Sequence, residues 1–200
     1  MASAGQERYP FPTLPDYLGP DLELVFVGIN PGLYSVERGH YFARTTSRFW
    51  PAFSRSRLSA AVRAGLGREA LGPEDDSALL EFGIGFTDVV KRPSRGAADV
   101  KPAHYREWAP RLLARLERFR PPVACFHGLT AYRAFVQFGL SEPKGNWTLG
   151  PQPLSVGGTG LFVVPNPSPA NAHFKLQDQI AWYDRLAEFV SSLYSLVPGL

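Results

Sequence analysis

Leu24-Val25-Phe26-Val27-Gly28-Ile29-Asn30-Pro31-Gly32 is the stretch on which the reading of the fold turns. A short continuous apolar run, rich in branched and aromatic residues and ended by glycine and proline, reads as a strand buried on both faces. Such strands belong to parallel sheets covered by helices, and ligands bind in the crevice beyond their carboxyl ends, where this strand delivers Asn30. A second stretch, Leu161-Phe162-Val163-Val164-Pro165-Asn166-Pro167-Ser168-Pro169, repeats the form of an apolar strand running into a rigid polar loop. The pair predicts two asparagine loops facing one crevice.

Outward from these two strands, the remaining pattern alternates strand and helix. Tyr17, Leu18 and Leu22 pack as the chain enters the first strand. Leu33 to Ser47 shows no helical period and reads as a long binding loop. Ser47 reads as an N-cap ahead of Arg48-Phe49-Trp50-Pro51, opening a helix to about Ala64 that Gly65 and Gly67 end. A short helix is placed around Asp76 to Glu81, and Phe82 to Val90 reads as a glycine-interrupted strand. Tyr105, Trp108, Leu112, Leu116 and Phe119 recur at helical spacing, so a helix runs from Pro102 to Phe119 with one face on the sheet. Val123 to His127 is a strand, Thr130 to Phe138 a helix, Leu149 to Val156 and Leu161 to Val164 a strand pair, and Gln177 to Leu193 a closing amphipathic helix. The expected architecture is a three-layer α/β/α domain with a central, mostly parallel sheet. Residues 1–15 read as a flexible tail and 16–195 as one domain.

Two hundred residues with 44% hydrophobic content suit one core of good size. The single Cys125, set in an apolar run, excludes a disulfide framework and a four-cysteine metal or iron-sulfur site, so neither metal nor cofactor is expected. No apolar run approaches a membrane span and Met1 to Pro20 does not resemble a signal peptide, which predicts a soluble cytoplasmic protein. The net charge of +3 is compatible with nucleic acid, and Arg38, Arg44, Arg48, Arg55, Arg57, Arg63 and Arg68 follow the first asparagine closely. These arginines read either as a field for an anionic partner or as a solvated helix face.

Taken in order, Gly28-Ile29-Asn30-Pro31-Gly32, then Phe42-Ala43 and Ser47-Arg48-Phe49-Trp50, then Gly83-Ile84-Gly85-Phe86-Thr87, and last Pro165-Asn166-Pro167-Ser168 form a specific set. The set resembles the mismatch-specific uracil/thymine-DNA glycosylases of the uracil-DNA glycosylase superfamily over roughly residues 15 to 190. The resemblance implies that superfamily's fold and hydrolysis of the bond between a damaged or mismatched base and deoxyribose, by a monomer acting on DNA that contains uracil or mismatches. The fast uracil enzymes carry an aspartate general base and a histidine in their two motifs, and this chain has neither there.

On this resemblance Asn30 holds the attacking water and Gly28, Ile29, Phe42 and Thr87 form the base pocket, with Phe42 as the stacking face. Asp88 activates the water or steadies the sugar cation; a capping aspartate paired with Lys91 or Arg92 is the equal alternative. Asn30 also reads as a turn residue capping the strand end, and Thr87 as a strand residue with a satisfied hydroxyl. Asn166, Ser168, Pro169, Ala170, Asn171 and His173 supply the loop that grips DNA and fills the gap left by an extruded base. Here the chain departs from the family pattern, with small residues where a bulky leucine or an arginine plug is usual. A weak wedge predicts relaxed dependence on the opposite base. His40 and His127 read as a loop surface residue and a strand-end core residue. The alternative of another class is a nucleic-acid or nucleotide-binding module without turnover.

Overall fold

The computed structural model describes residues 9–195. Five strands form one sheet: β1 (Leu24–Gly28), β2 (Ile84–Asp88), β3 (Val123–His127), β4 (Gly150–Val156) and β5 (Thr159–Val164), in spatial order β2-β1-β3-β5-β4. β1 runs parallel to both β2 and β3, and β3 parallel to β5; only β4, an edge strand, is antiparallel to its neighbour. The β4–β5 turn falls at Gly157 and Gly158, whose φ of +55° and +96° match the two left-handed positions of a tight hairpin.

Strand periodicity divides the core in two. Val25 and Val27 of β1, Ala124 and Phe126 of β3 and Leu161 and Val163 of β5 face one apolar cluster; Leu24 and Phe26, Val123 and Cys125, and Phe162 and Val164 face the other. The first cluster is covered by α4 (Pro102–Phe119), through Trp108, Leu112 and Leu116, and by α5 (Leu129–Phe138), through Tyr132 and Phe135. The second is covered by α2 (Phe49–Arg55), α3 (Ala60–Leu66) and α6 (Leu176–Ser195), through Phe49, Phe53, Val62, Tyr183 and Leu186. The result is the three-layer α/β/α architecture, and it explains why the strands read as continuous apolar runs.

Two elements differ from the sequence pattern. The stretch after Gly32 is not loop throughout: α1 (Leu33–Arg38) fills its first half and stops at Gly39, whose φ is +76°. Two turns are too short for a hydrophobic period to show. The helix from Ser47 does not reach Ala64 unbroken. Ser47 Oγ accepts the Phe49 N–H at 3.3 Å, but Ser56 is extended, its hydroxyl donates to Phe53 O at 2.8 Å, and the next N–H, of Arg57, donates to Asp184 Oδ1 at 2.7 Å. A serine that bonds its own preceding turn offers the backbone an exit from the helix. The stretch around Asp76 is a 3-10 helix, Pro73–Phe82.

Residues 1–8 of the stretch read as a tail lie outside the described residues, while Tyr9 and Phe11 pack on Trp108 and Leu14 is buried. The entry segment then pairs with the sheet: Tyr17 N donates to Phe86 O at 2.9 Å and Phe86 N to Tyr17 O at 3.0 Å. A side chain at Gly85 would collide with the Tyr17 carbonyl, which accounts for the glycine inside β2. This pairing sets Asp16 beside Thr87.

Candidate active site

The strand order changes direction at β1, with β2 on one side and β3 on the other, the topological switch at which open α/β sheets bind ligands. A cleft of about 190 Å³ opens there, at the carboxyl ends of all four parallel strands. Gly28, Ile29 and Asn30 line it from β1, Asp88 from β2, His127 from β3, and Asn166, Ser168 and Pro169 from the loop after β5.

Asn30 is fixed by its nitrogen. Nδ2 donates to Ser94 Oγ at 2.8 Å, Arg92 O at 3.1 Å and Pro31 O at 3.2 Å. Carbonyl oxygens accept only, so these partners decide which end of the amide is the nitrogen. Oδ1 has no hydrogen bond among the described residues, and it is the acceptor that Asn30 can offer to the cleft. The turn around it is held in turn by Leu33 N to Ser94 O at 3.0 Å and Ser94 N to Pro31 O at 3.1 Å. Capping the bend and presenting an acceptor are thus two ends of one side chain.

Phe42 sits at φ +54°, a left-handed position that disfavours a bulky side chain by about 1–2 kcal/mol. Its neighbours hold it there: Tyr41 N donates to Asp76 Oδ2 at 2.8 Å, Trp50 Nε1 to Tyr41 O at 2.9 Å, and Ala43 N to Ser35 Oγ at 3.2 Å. Burial pushes the Asp76 carboxyl above its ordinary value, against the bonds from Tyr41 and His40. The Phe42 ring stacks on Phe49, with centroids 4.2 Å apart and planes 11° apart, and it lines the cleft. One face is therefore backed by a packed aromatic and the ring is a ready stacking platform.

Asp88 ends β2 and is 3% exposed. Oδ1 lies against Gly28, where any Cβ would strike it, and Oδ2 is buried without a hydrogen bond, 3.7 Å from Lys91 Nζ. Burial is the main cause that lifts its carboxyl to about 6, opposed by the charge of Lys91 and assisted by that of Asp16. Lys91 is wholly buried and gives its closest bond, 2.9 Å, to Asp16 Oδ1. Thr87 Oγ1 donates to the same oxygen at 2.6 Å. Thr87 therefore does not line the cleft. Its hydroxyl belongs to the layer beneath, because the alternation of β2 turns it to the face opposite Phe86 and Asp88, where Asp16 accepts it.

The Asn166 loop is built in the opposite sense. Asn166 Oδ1 accepts the Ser168 N–H at 2.9 Å, an Asx turn, and its Nδ2 has no hydrogen bond among the described residues. Asn171 Nδ2 closes the loop onto Asn166 O at 3.1 Å, and the Arg48 guanidinium donates to Ser168 O at 2.8 Å and Asn171 O at 3.2 Å. Gly128, at φ +94°, lets the Asn166 Cβ come within 3.1 Å of where its own side chain would begin. Of the residues expected in this loop's DNA contact, Asn166, Ser168 and Pro169 border the cleft. Ala170, Asn171 and His173 do not: Asn171 is turned back into the loop, and Ala170 and His173 stand exposed beyond it.

A family model for the uracil DNA glycosylase superfamily matches residues 15–188. The chain belongs to this superfamily. The fold agrees with the solution NMR structure of a candidate uracil DNA glycosylase from Methanosarcina acetivorans, at 18% identity and a TM-score of 0.51, covering 85% of this chain and 92% of that one.

For this superfamily member, several residues that carry the cleft were not legible from motifs. His127 has Nε2 3.0 Å from the Tyr183 hydroxyl, while Nδ1 is buried without a partner. Its ring lies 5.0 Å from Phe42 and 5.1 Å from Phe26, and burial pushes it down to about 3, so it is a neutral imidazole at the cleft wall rather than core alone. Lys91, expected as a partner for Asp88, does stand 3.7 Å from it, but its closer bond is to Asp16, an aspartate among prolines that gave no local signal. Of the seven arginines, Arg38 and Arg44 lie over Tyr34, Arg57 pairs with Asp184 and Glu188, Arg63 donates to Ser59 and Arg68 pairs with Asp75. Arg38, Arg44, Arg55, Arg57 and Arg68 are all exposed, as a solvated face would be, and Arg44 is the member of the run that borders the cleft. Among the described residues no group of three or more His, Cys, Asp or Glu is placed to hold a metal ion, and no helix is long and apolar enough to cross a membrane.

Proposed function

We propose that this chain is a monofunctional DNA glycosylase that hydrolyses the N-glycosidic bond of uracil, and of mismatched thymine more slowly, initiating base excision repair as a monomer. The observation that carries the reading is the convergence of Asn30, Asp88, Phe42 and Asn166 on one cleft. A base inside a duplex must be extruded into such a pocket, at a cost of a few kcal/mol, and held there by stacking and edge hydrogen bonds. Phe42 is the stacking face, and Asn166 Nδ2 faces the base or its phosphate as a donor.

Cleavage passes through an oxocarbenium-like sugar and an anionic base. The C1′–N bond breaks with its electron pair leaving on the base, and a water oxygen forms the new bond to C1′. Asn30 Oδ1 accepts one hydrogen of that water and orients it, and the Asp88 carboxylate accepts the proton it loses while its charge stabilises the sugar cation. A carboxyl at about 6 is largely ionised at neutral pH yet basic enough to take a proton, so activity falls as pH drops through about 6. Lys91, the amine closest to this chemistry, is buried and bonded to Asp16, which favours hydrolysis by water over attack by an amine.

The small, exposed tip at Pro169 and Ala170 favours loose recognition of the opposite base over strict mismatch preference. Oligonucleotides with uracil opposite guanine, opposite adenine and in single strand, and with thymine opposite guanine, test the reading by alkali-labile strand breaks. Excision of uracil in all three contexts is expected. Binding with no abasic product from any of the four would replace the enzyme by a nucleic-acid-binding module.

A further inference from the structure

Beneath the cleft lies a second carboxylate that no step above uses. Asp16, from the entry segment, is bonded on both oxygens: Oδ1 accepts Lys91 Nζ at 2.9 Å and Thr87 Oγ1 at 2.6 Å, and Oδ2 accepts the Tyr9 hydroxyl at 3.0 Å and lies 3.6 Å from Arg115 Nη1. Asp88, whose side chain is the more buried of the two, has Oδ2 unbonded although the same ammonium stands 3.7 Å away. Two carboxylates compete for one buried cation, and the geometry gives it to the one farther from the cleft.

We propose that Asp16 is a positioning residue for base excision: by drawing the Lys91 ammonium onto its own carboxylate, it withholds that cation from Asp88 and leaves Asp88 an oxygen free to take a proton. Besides Lys91 and Asp16, Asp88 faces Arg115 and the Tyr41 hydroxyl, and both lower its carboxyl without undoing the effect of burial. Arg115 of α4 donates to the Asp88 backbone oxygen and the Tyr9 hydroxyl, each at 3.4 Å, lies 3.6 Å from Asp16 Oδ2, and by its charge lowers the Asp88 carboxyl. The Tyr41 hydroxyl donates to Pro15 O at 2.9 Å and accepts from Lys91 at 3.2 Å. Burial pushes Asp16 up, but the charges of Lys91 and Arg115 and the bonds from Thr87 and Lys91 outweigh it and hold Asp16 below the ordinary carboxylate value, whereas Asp88 sits above it. A buried carboxylate given a close ammonium becomes a poor base; one denied it stays a good one. The entry segment thus completes the site: Thr13 Oγ1 also donates to Lys91 O at 2.6 Å.

The proposal rests on Asp88 acting as the base, and two readouts separate the claims. Carboxyl ¹³C NMR of the full-length wild type is expected to show Asp16 titrating below the ordinary carboxylate value and Asp88 near 6. In Asp16→Asn the Asp88 titration is expected to fall by about one pH unit or more, with the acid limb of the single-turnover excision profile falling with it. An Asp88 titration unmoved in Asp16→Asn overturns the proposal. If the titration falls but the excision limb stays, the Asp16 assignment is supported and it is the base role of Asp88 that fails. Should Asp16→Asn not fold, the wild-type spectrum decides alone: Asp88 ionised at lower pH than Asp16 overturns the proposal.

Discussion

The two asparagine loops are alike in sequence and opposite in construction. After β1, Asn30 ties its nitrogen to two carbonyls and a hydroxyl and turns an unbonded oxygen to the cleft; after β5, Asn166 ties its oxygen to the Ser168 N–H and leaves its nitrogen unbonded. One loop offers an acceptor beside the carboxylate of Asp88, the other a donor beside Ser168. A water about to lose a proton needs the first, and an anionic base or phosphate needs the second. The same residue type after the same kind of strand is thus given different chemistry by the backbone groups around it.

The contrast is broken most severely on the Asn30 side by Gly28→Ala, whose methyl group would displace the Asp88 carboxylate. Overpacking there costs about 1–3 kcal/mol of stability. Excision falls about 100-fold while DNA affinity changes little, as measured by single-turnover rates beside equilibrium binding. Asn166→Asp sharpens the contrast, because the carboxylate still accepts the Ser168 N–H but replaces the free donor by a second acceptor facing an anionic ligand. About a tenfold loss of excision is expected, with weaker DNA binding that recovers less at low salt than wild type does. Arg48→Ala removes the bonds to Ser168 O and Asn171 O that hold the second loop, and a Tm lower by a few degrees with a few-fold weaker DNA binding is expected.

The effect that is smallest near neutral pH concerns His127, on the strand between the two loops. Its folded value of about 3 lies below the ordinary 6.5, so the unfolded chain binds the proton first and this contribution to stability, full above 6.5, is lost as pH falls toward 3. Asp88 acts with the opposite sign between 3.8 and about 6, so the difference between wild type and His127→Leu is the informative quantity. That difference should shrink by up to about 1.4 kcal/mol for each pH unit below 6.5, read by denaturant unfolding.

How far the sequence carries is visible in the same residues. Each parallel strand was legible because burial on both faces leaves an uninterrupted apolar run, and α4 because eighteen residues show their period. Asn30, Phe42, Asp88 and Asn166, all named from the motifs, border one cleft. What escaped was whatever depends on direction or on partners distant in sequence. Thr87 turns to Asp16, 71 residues away, rather than to the cleft. Arg48 belongs to a loop 120 residues later, and the unbonded ends of Asn30 and Asn166 follow from which backbone groups meet them. None of these leaves a local pattern, since a one-residue step along a strand reverses the face and a hydrogen bond carries no periodicity.

The most direct test is Asn30→Ala beside wild type on one duplex with uracil opposite guanine, with affinity and single-turnover excision measured in the same samples. Removing the acceptor should leave binding within a few-fold of wild type and lower excision by about 1,000-fold or more. Excision surviving within tenfold of wild type would contradict the account, since the water would then be held by some other group.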